Sequence, residues 1–140
     1  MSIHPSSMLR IMFIVGATVD GAIAASWFLI ASGVEIPNIL NGYAGAGSDY
    51  QLAMYVAAMF MTGWAILLIW GAIRSLERRG LLLITSAFLL LSVVIELVFY
   101  GDMLGGAGFV FGVAKRIVLS SAAIAVYVYS LMREESPLNT

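Results

Sequence analysis

Four long apolar runs dominate the 140-residue sequence and restrict what it can fold into. A bilayer core is about 30 Å thick, and an α-helix needs about 20 apolar residues to cross it. The runs that meet this length are residues 9–33, 51–73, 81–100 and 109–132. We therefore predict an all-α, polytopic membrane protein, with residues 1–140 forming one domain as an antiparallel bundle of four transmembrane helices.

The composition excludes several other classes of protein. The chain is 61% hydrophobic and 11% charged, whereas soluble domains carry about 25% charged residues. A net charge of −1 does not provide the basic footprint that a nucleic acid needs. The chain has no cysteine, which excludes disulfides, thiolate metal sites and iron–sulfur ligation. The lone His4 is predicted to be a flexible tail residue, and no metal or cofactor is expected.

The distribution of arginines predicts how the helices are oriented. Short loops rich in Lys and Arg face the cytoplasm. With four crossings, one side of the membrane receives Arg10, Arg74, Arg78, Arg79 and Arg133. Both termini are therefore predicted to be cytoplasmic, in a multi-pass protein of the cell inner (plasma) membrane. The short turn at residues 74–80 predicts an antiparallel hairpin of the second and third helices. The acidic, glycine-rich loop 34–50 is long enough to fold over the opposite mouth of the bundle.

Two carboxylates, Asp20 and Glu96, lie inside the apolar runs. A charge in hydrocarbon costs about 2.5–3.5 kcal/mol on insertion scales, so each must be paired, hydrated or protonated. At 1.5 Å per residue, Glu96 and Arg116 both lie about 24 Å from the predicted cytoplasmic ends of their helices. We therefore predict that they form an ion pair. Lys115 points about 100° away around the helix and is predicted to extend outward to lipid headgroups.

Asp20 has no basic residue at its own depth, about 15 Å above Arg10. It is therefore expected to be protonated, hydrogen-bonded to Thr62 or Ser92, or in contact with trapped water. Such an acid can carry protons, or it can act as a neutral hydrogen-bond donor that fastens helices together. The Glu96–Arg116 pair can likewise serve a function or only hold the helices together, and the sequence is compatible with both interpretations.

Polar and small residues recur at helical spacing along each run. Polar residues in membrane helices face the bundle interior, so we predict a polar seam that binds a ligand or a proton. Its members are Asp20, Tyr55, Thr62, Ser92, Glu96, Arg116 and Ser120. Small residues let helices approach closely. The series Ala17, Gly21 and Ala25 predicts such packing within the bundle or between protomers, and Gly108-x-x-x-Gly112 is a second series of this kind.

The four-span pattern resembles the small bacterial membrane families grouped around DoxX. The resemblance is carried by Gly63-Trp64-Ala65-Ile66-Leu67-Leu68-Ile69-Trp70, which leads into Glu77-Arg78-Arg79-Gly80. It covers most of the chain. The resemblance implies a four-helix membrane fold rather than a particular activity.

Three functions are compatible with this sequence. The first is a protein that binds or moves a small solute or proton through the seam, with Asp20 as its protonatable centre. The second is an accessory or assembly subunit, because helix faces are the main surface that the chain offers to other membrane subunits or to further copies of itself. The third is a membrane-embedded enzyme acting on a lipid-like substrate, with Asp20 and Glu96 as acid and base. No nucleophile or cofactor motif supports the third, so a non-enzymatic role is favoured.

Overall fold

The computed structural model describes residues 4–134, and this range contains four α-helices. They are α1 (Pro5–Ala31), α2 (Ser48–Ile73), α3 (Gly80–Phe99) and α4 (Gly106–Glu134). All four are long and apolar enough to cross a membrane, and the described residues include no β-strand. The prediction of an all-helical chain with four potential membrane spans is confirmed.

The first helix begins at Pro5 rather than at the predicted Leu9. Pro5 stands in the first turn, where its missing N–H removes no hydrogen bond. His4, predicted to be a flexible tail residue, is the N-cap of this helix, and its Nδ1 accepts a hydrogen bond from the Ser6 amide at 3.4 Å. A capped polar first turn therefore extends the helix beyond the apolar run.

Helix packing is uneven around the bundle. α1 packs most extensively against α2, α3 packs against α4, and α1 also contacts α4. Contacts between α2 and α3 are few, so the predicted hairpin is joined by its turn but not closely packed. Bulky side chains separate the two helices: the Trp64 ring stands edge-on to Phe88, and its Nε1 donates to Thr85 Oγ1 at 3.2 Å. By contrast, Gly71 of α2 leaves space only for the Phe13 ring of α1.

Two apolar clusters form the core. The first lies toward the arginine-rich end of the bundle and draws on all four helices, through Leu9, Phe13, Ala17, Leu68, Ala72, Leu82 and Ala123. We call it the lower cluster. The second lies toward the other end and contains Ile23, Trp27, Ile30 and Ala58, with loop residues Ile36 and Leu40 packed against it. The second cluster therefore supports the chain segment that connects α1 and α2.

That segment, the α1–α2 loop (residues 32–47), folds back over the bundle. Its anchor is the buried Asn38, whose Oδ1 accepts hydrogen bonds from Trp27 Nε1 at 2.8 Å and from the Leu40 amide at 2.9 Å. The Asn38 carbonyl accepts a further bond from the Gly42 amide at 2.7 Å. Gly42 has a φ of +75°, which glycine adopts without the steric cost that a side chain brings. The resulting turn directs the loop across the N-terminal half of α4, where it lies against Gly108 and Gly112.

Candidate functional site

A buried ion pair joins α3 and α4 in the half of the bundle that the α1–α2 loop covers. Arg116 is 1% exposed, and its Nη2 donates to Glu96 Oε2. The pair predicted from the equal heights of these residues is therefore present in the structure. Because α3 and α4 pack against each other, their matching positions bring the Glu96 carboxylate and the Arg116 guanidinium into contact inside the helix bundle.

The other two nitrogens of Arg116 also donate hydrogen bonds. Its Nη1 donates to Ser92 Oγ at 3.0 Å, and its Nε donates to the Gly112 carbonyl at 3.2 Å. A buried charge is tolerated when it is paired and its other hydrogen bonds are made. Ser92 donates in turn to the Leu89 carbonyl at 2.8 Å. Ser92 is therefore a partner of Arg116 and not of Asp20, for which it was one of the alternative partners considered.

The second carboxylate oxygen of Glu96 faces the α1–α2 loop. Asn41 Nδ2 donates to Glu96 Oε1 at 3.2 Å, and Asn41 Oδ1 accepts from the Tyr43 amide at 3.2 Å. A pocket of about 290 Å³ lies beside this contact, lined by Asn41, Tyr43, Glu96, Tyr100, Met103 and Leu104. The Glu96 side chain is 13% exposed, so its carboxylate is the charged group of the ion pair that a solute in the pocket can reach.

Two glycines of α4 let the loop approach this closely. A Cβ on Gly112 would overlap the carbonyl oxygen of Leu40, and one on Gly108 would lie 3.2 Å from the Cα of Gly42. The Gly108-x-x-x-Gly112 series therefore accommodates a loop and not another helix of this chain. Lys115 binds the same segment, with its Nζ donating to the Ile39 carbonyl at 2.9 Å. Lys115 was predicted to extend outward to lipid headgroups, but in the structure its ammonium group binds the α1–α2 loop instead.

Asp20 lies deeper in the bundle. It is 7% exposed, and it makes no hydrogen bond to any residue of the described range 4–134. Its predicted partner Thr62 instead donates to the Ala58 carbonyl of its own helix at 2.8 Å. A cavity of about 30 Å³ adjoins Asp20, with Thr85 and Ser86 among its lining residues. This volume is sufficient for one water molecule, so the trapped-water interpretation fits the geometry best.

Two buried serines join α3 and α4 near this cavity, and one of them, Ser86, lines it together with Asp20. Ser86 and Ser120 are each 1% exposed, and Ser86 Oγ is 2.8 Å from the Leu82 carbonyl and 3.4 Å from the Ser120 carbonyl. The buried Ser120 Oγ has no hydrogen-bond partner among the described residues. Ser120 was predicted as a seam residue, whereas Ser86 was missed. No feature of the sequence distinguishes Ser86 from the neighbouring Thr85, because the burial of Ser86 depends on how α3 is rotated in the bundle.

The structure does not bring every predicted residue to this site. Tyr55 is 51% exposed, and its ring stands edge-on to Phe28 with 6.0 Å between the centroids. The α2 members of the predicted seam, Tyr55 and Thr62, therefore contribute no polar contact to the Glu96–Arg116 cluster. In the small-residue series, Ala17 is buried, but Ala25 is exposed and a Cβ on Gly21 would meet nothing within 4 Å. Only Ala17 of the three packs in the core of this chain.

Comparisons with known proteins provide no match: no family model, no curated protein and no solved structure resembles the chain significantly. Within residues 4–134, no three His, Asp or Glu side chains are grouped as metal ligands. Function is therefore inferred from the geometry of the chain itself, above all from the Glu96–Arg116–Asn41 cluster and the nearly isolated Asp20.

Proposed function

We propose that this chain is a small multi-pass protein of the cell inner membrane that binds or moves a small polar solute or a proton through its polar seam. Of the predicted seam residues, the proposed seam keeps five and adds the buried Ser86. The five are Asp20, Ser92, Glu96, Arg116 and Ser120. We further propose an antiparallel bundle with both termini in the cytoplasm, of the kind found in DoxX-like families. The clustering of arginines at one end of the four helices supports this orientation.

The proposal depends on one observation. The buried Arg116 binds one carboxylate oxygen of Glu96, while the other oxygen faces Asn41 beside a pocket. Ligand pockets usually measure about 300–1,000 Å³, so the 290 Å³ space beside Glu96 suits a small solute. Arg116 is buried behind the carboxylate and fixes its orientation. Tyr43 and Tyr100, which line the same pocket, add aromatic surface and hydroxyl groups.

The chemistry of this pocket favours a solute with hydrogen-bond donors, such as an amine or a hydroxyl compound. A bound donor can replace Asn41 Nδ2 at Glu96 Oε1, which would release the α1–α2 loop from α3. Asp20 then provides a second carboxyl group, at a separate cavity deeper in the bundle. The lower cluster closes the opposite end with apolar side chains. In this conformation a solute therefore enters from the end of the bundle that the α1–α2 loop covers.

Reconstituted vesicles test the proposal. The purified chain is placed in liposomes that contain a pH-sensitive dye, and small amines, polyols and carboxylates are added singly. At least one solute should produce a protein-dependent pH change, which Asp20→Asn should abolish without loss of helicity. Glu77→Gln provides a matched control, because Glu77 is exposed in the turn between α2 and α3. Retention of the pH change in Asp20→Asn would contradict the proposed role of Asp20.

A second candidate function, an accessory subunit of a larger membrane complex, is favoured by the outward faces. Phe60, Phe88 and Phe99 are each more than 60% exposed. Ala25 is also exposed, and a Cβ on Gly21 would meet nothing within 4 Å. Further copies of the chain or other membrane subunits could cover such faces. Native purification followed by mass spectrometry separates the two candidates, since stoichiometric foreign subunits support the second.

The variant Gly21→Leu tests the second candidate function, the accessory subunit, more directly. Because a Cβ at Gly21 meets nothing within 4 Å, the substitution should leave the isolated chain folded. Loss of assembly in this variant would therefore report a contact with another chain. Unchanged assembly would exclude the Gly21 face as the contact surface.

A further inference from the structure

An apolar groove runs between α1 and α2 on the outside of the bundle, separate from the polar seam. Its volume is about 650 Å³, and its walls include Ile14, Thr18, Ile69 and Ile73. Arg10 lines the same groove. Ile73 is the last residue of α2, and Arg10 lies only about 8 Å along α1 from Pro5. Arg10 therefore lies close to the N-terminal end of α1 and to the C-terminal end of α2.

Arg10 differs from Arg74, another exposed arginine at the same end of the helices. Arg74 is paired with Glu77 at 3.4 Å. Arg10 is exposed and makes no hydrogen bond or ion pair with any residue from 4 to 134. A guanidinium binds phosphate through two parallel hydrogen bonds. An unpaired guanidinium at the mouth of an apolar groove can bind the phosphate of a phospholipid, while the groove itself can bind an acyl chain of the same molecule.

We propose that this groove is a binding site for one anionic phospholipid. The phosphate would lie on Arg10, and one acyl chain would extend along Ile14, Thr18 and Ile69. Basic pockets between membrane helices are known to bind anionic headgroups, and each arginine near the surface contributes a preference for anionic lipid. A zwitterionic lipid could fill the same groove, but its headgroup cation would oppose the charge of Arg10. The preference between headgroups is therefore the measurable signature of the site.

Native mass spectrometry of the full chain tests this inference. Purified protein is equilibrated with equal amounts of phosphatidylglycerol and phosphatidylcholine that carry identical acyl chains. The ratio of the two bound lipids should favour phosphatidylglycerol and should fall about fivefold in Arg10→Gln. Arg74→Gln is the matched control: it removes an arginine at the same end of the bundle that is already paired with Glu77, and the ratio should fall much less than in Arg10→Gln. An unchanged ratio in Arg10→Gln, or an equal fall in Arg74→Gln, would overturn the site.

A second variant tests the apolar part independently of charge. Thr18→Trp places a large ring in the groove, so both lipids should be retained less while Arg10 remains. Circular dichroism checks that helicity is unchanged, and Thr18 is an exposed position where a larger side chain has room. If Thr18→Trp instead converts an oligomer to a monomer without changing lipid retention, the groove is a protein contact and the lipid proposal is wrong.

Discussion

The carbonyl oxygen of Leu40, in the α1–α2 loop, occupies the space that a Cβ on Gly112 of α4 would need. Gly112 also accepts a hydrogen bond from Arg116 Nε through its own carbonyl. One glycine thus supports both the loop above the pocket and the arginine behind Glu96. Structure near the pocket should therefore be sensitive to very small changes at this position.

We expect Gly112→Ala to destabilise the protein by about 1–3 kcal/mol, the usual cost of inserting a methyl group into a packed site. The loop must move away from α4 to admit the new Cβ. Detergent-induced unfolding followed by circular dichroism measures the change. Gly63→Ala is the control, because a Cβ at Gly63 meets nothing within 4 Å, and it should cause no loss. Equal effects of the two substitutions would show that the loop contact is unimportant.

The Glu96–Arg116 pair predicts a characteristic double-mutant cycle. Either single change, Glu96→Gln or Arg116→Gln, should cost about 3–5 kcal/mol because it leaves an unpaired buried charge. The double variant should recover part of this loss, since no isolated charge remains. The exposed Arg74–Glu77 pair offers a comparison and should contribute no more than about 1 kcal/mol. Strictly additive effects at positions 96 and 116 would contradict an energetic coupling between them.

Hydrogen exchange can report the link between the loop and α3. The Tyr43 amide donates to Asn41 Oδ1, so Asn41→Ala should accelerate exchange of that amide. The same change removes the Asn41–Glu96 contact and should loosen the loop. Ser32→Ala serves as the control because the Ser32 hydroxyl donates to the Phe28 carbonyl, within its own helical turn. Unchanged exchange at Tyr43 in Asn41→Ala would argue against this anchor.

The carboxyl groups of Asp20 and Glu96 should differ in chemical reactivity. An apolar carbodiimide reacts with protonated carboxyl groups in apolar surroundings. Asp20 has no basic partner among the described residues, whereas Glu96 is paired with Arg116. Labelling followed by peptide mass spectrometry should therefore find modification at Asp20 before Glu96. Arg116→Gln should increase labelling of Glu96, and preferential labelling of Glu96 in the parent chain would contradict this assignment.

Helix existence and the ion pair could be predicted because they follow from strong, regular signals. Twenty apolar residues in succession require a membrane or a deep core, and the helical rise fixes the relative heights of Glu96 and Arg116. Both arguments need only positions along a helix. The start of α1 required local information as well, namely the His4 cap and Pro5.

Contacts made by the loop could not be predicted in the same way. The Asn41–Glu96 bond joins residues 55 positions apart, and it depends on the turn at Gly42 and on the space above Gly112. Helical spacing also left the rotation of α2 undetermined, because nearly all of its residues are apolar. Tyr55 was consequently assigned to the interior, although its face of α2 points outward.

The lower cluster has a consequence for the response to voltage. It separates Asp20 from the basic end of the helices with apolar side chains, while the pocket and the polar seam lie on its other side. In the proposed membrane arrangement, an electrical potential would fall mainly over the least polarisable segment, the layer around Leu9, Phe13 and Leu68. An applied potential would therefore act chiefly on any charge crossing that layer, and only weakly on a solute entering from the loop side.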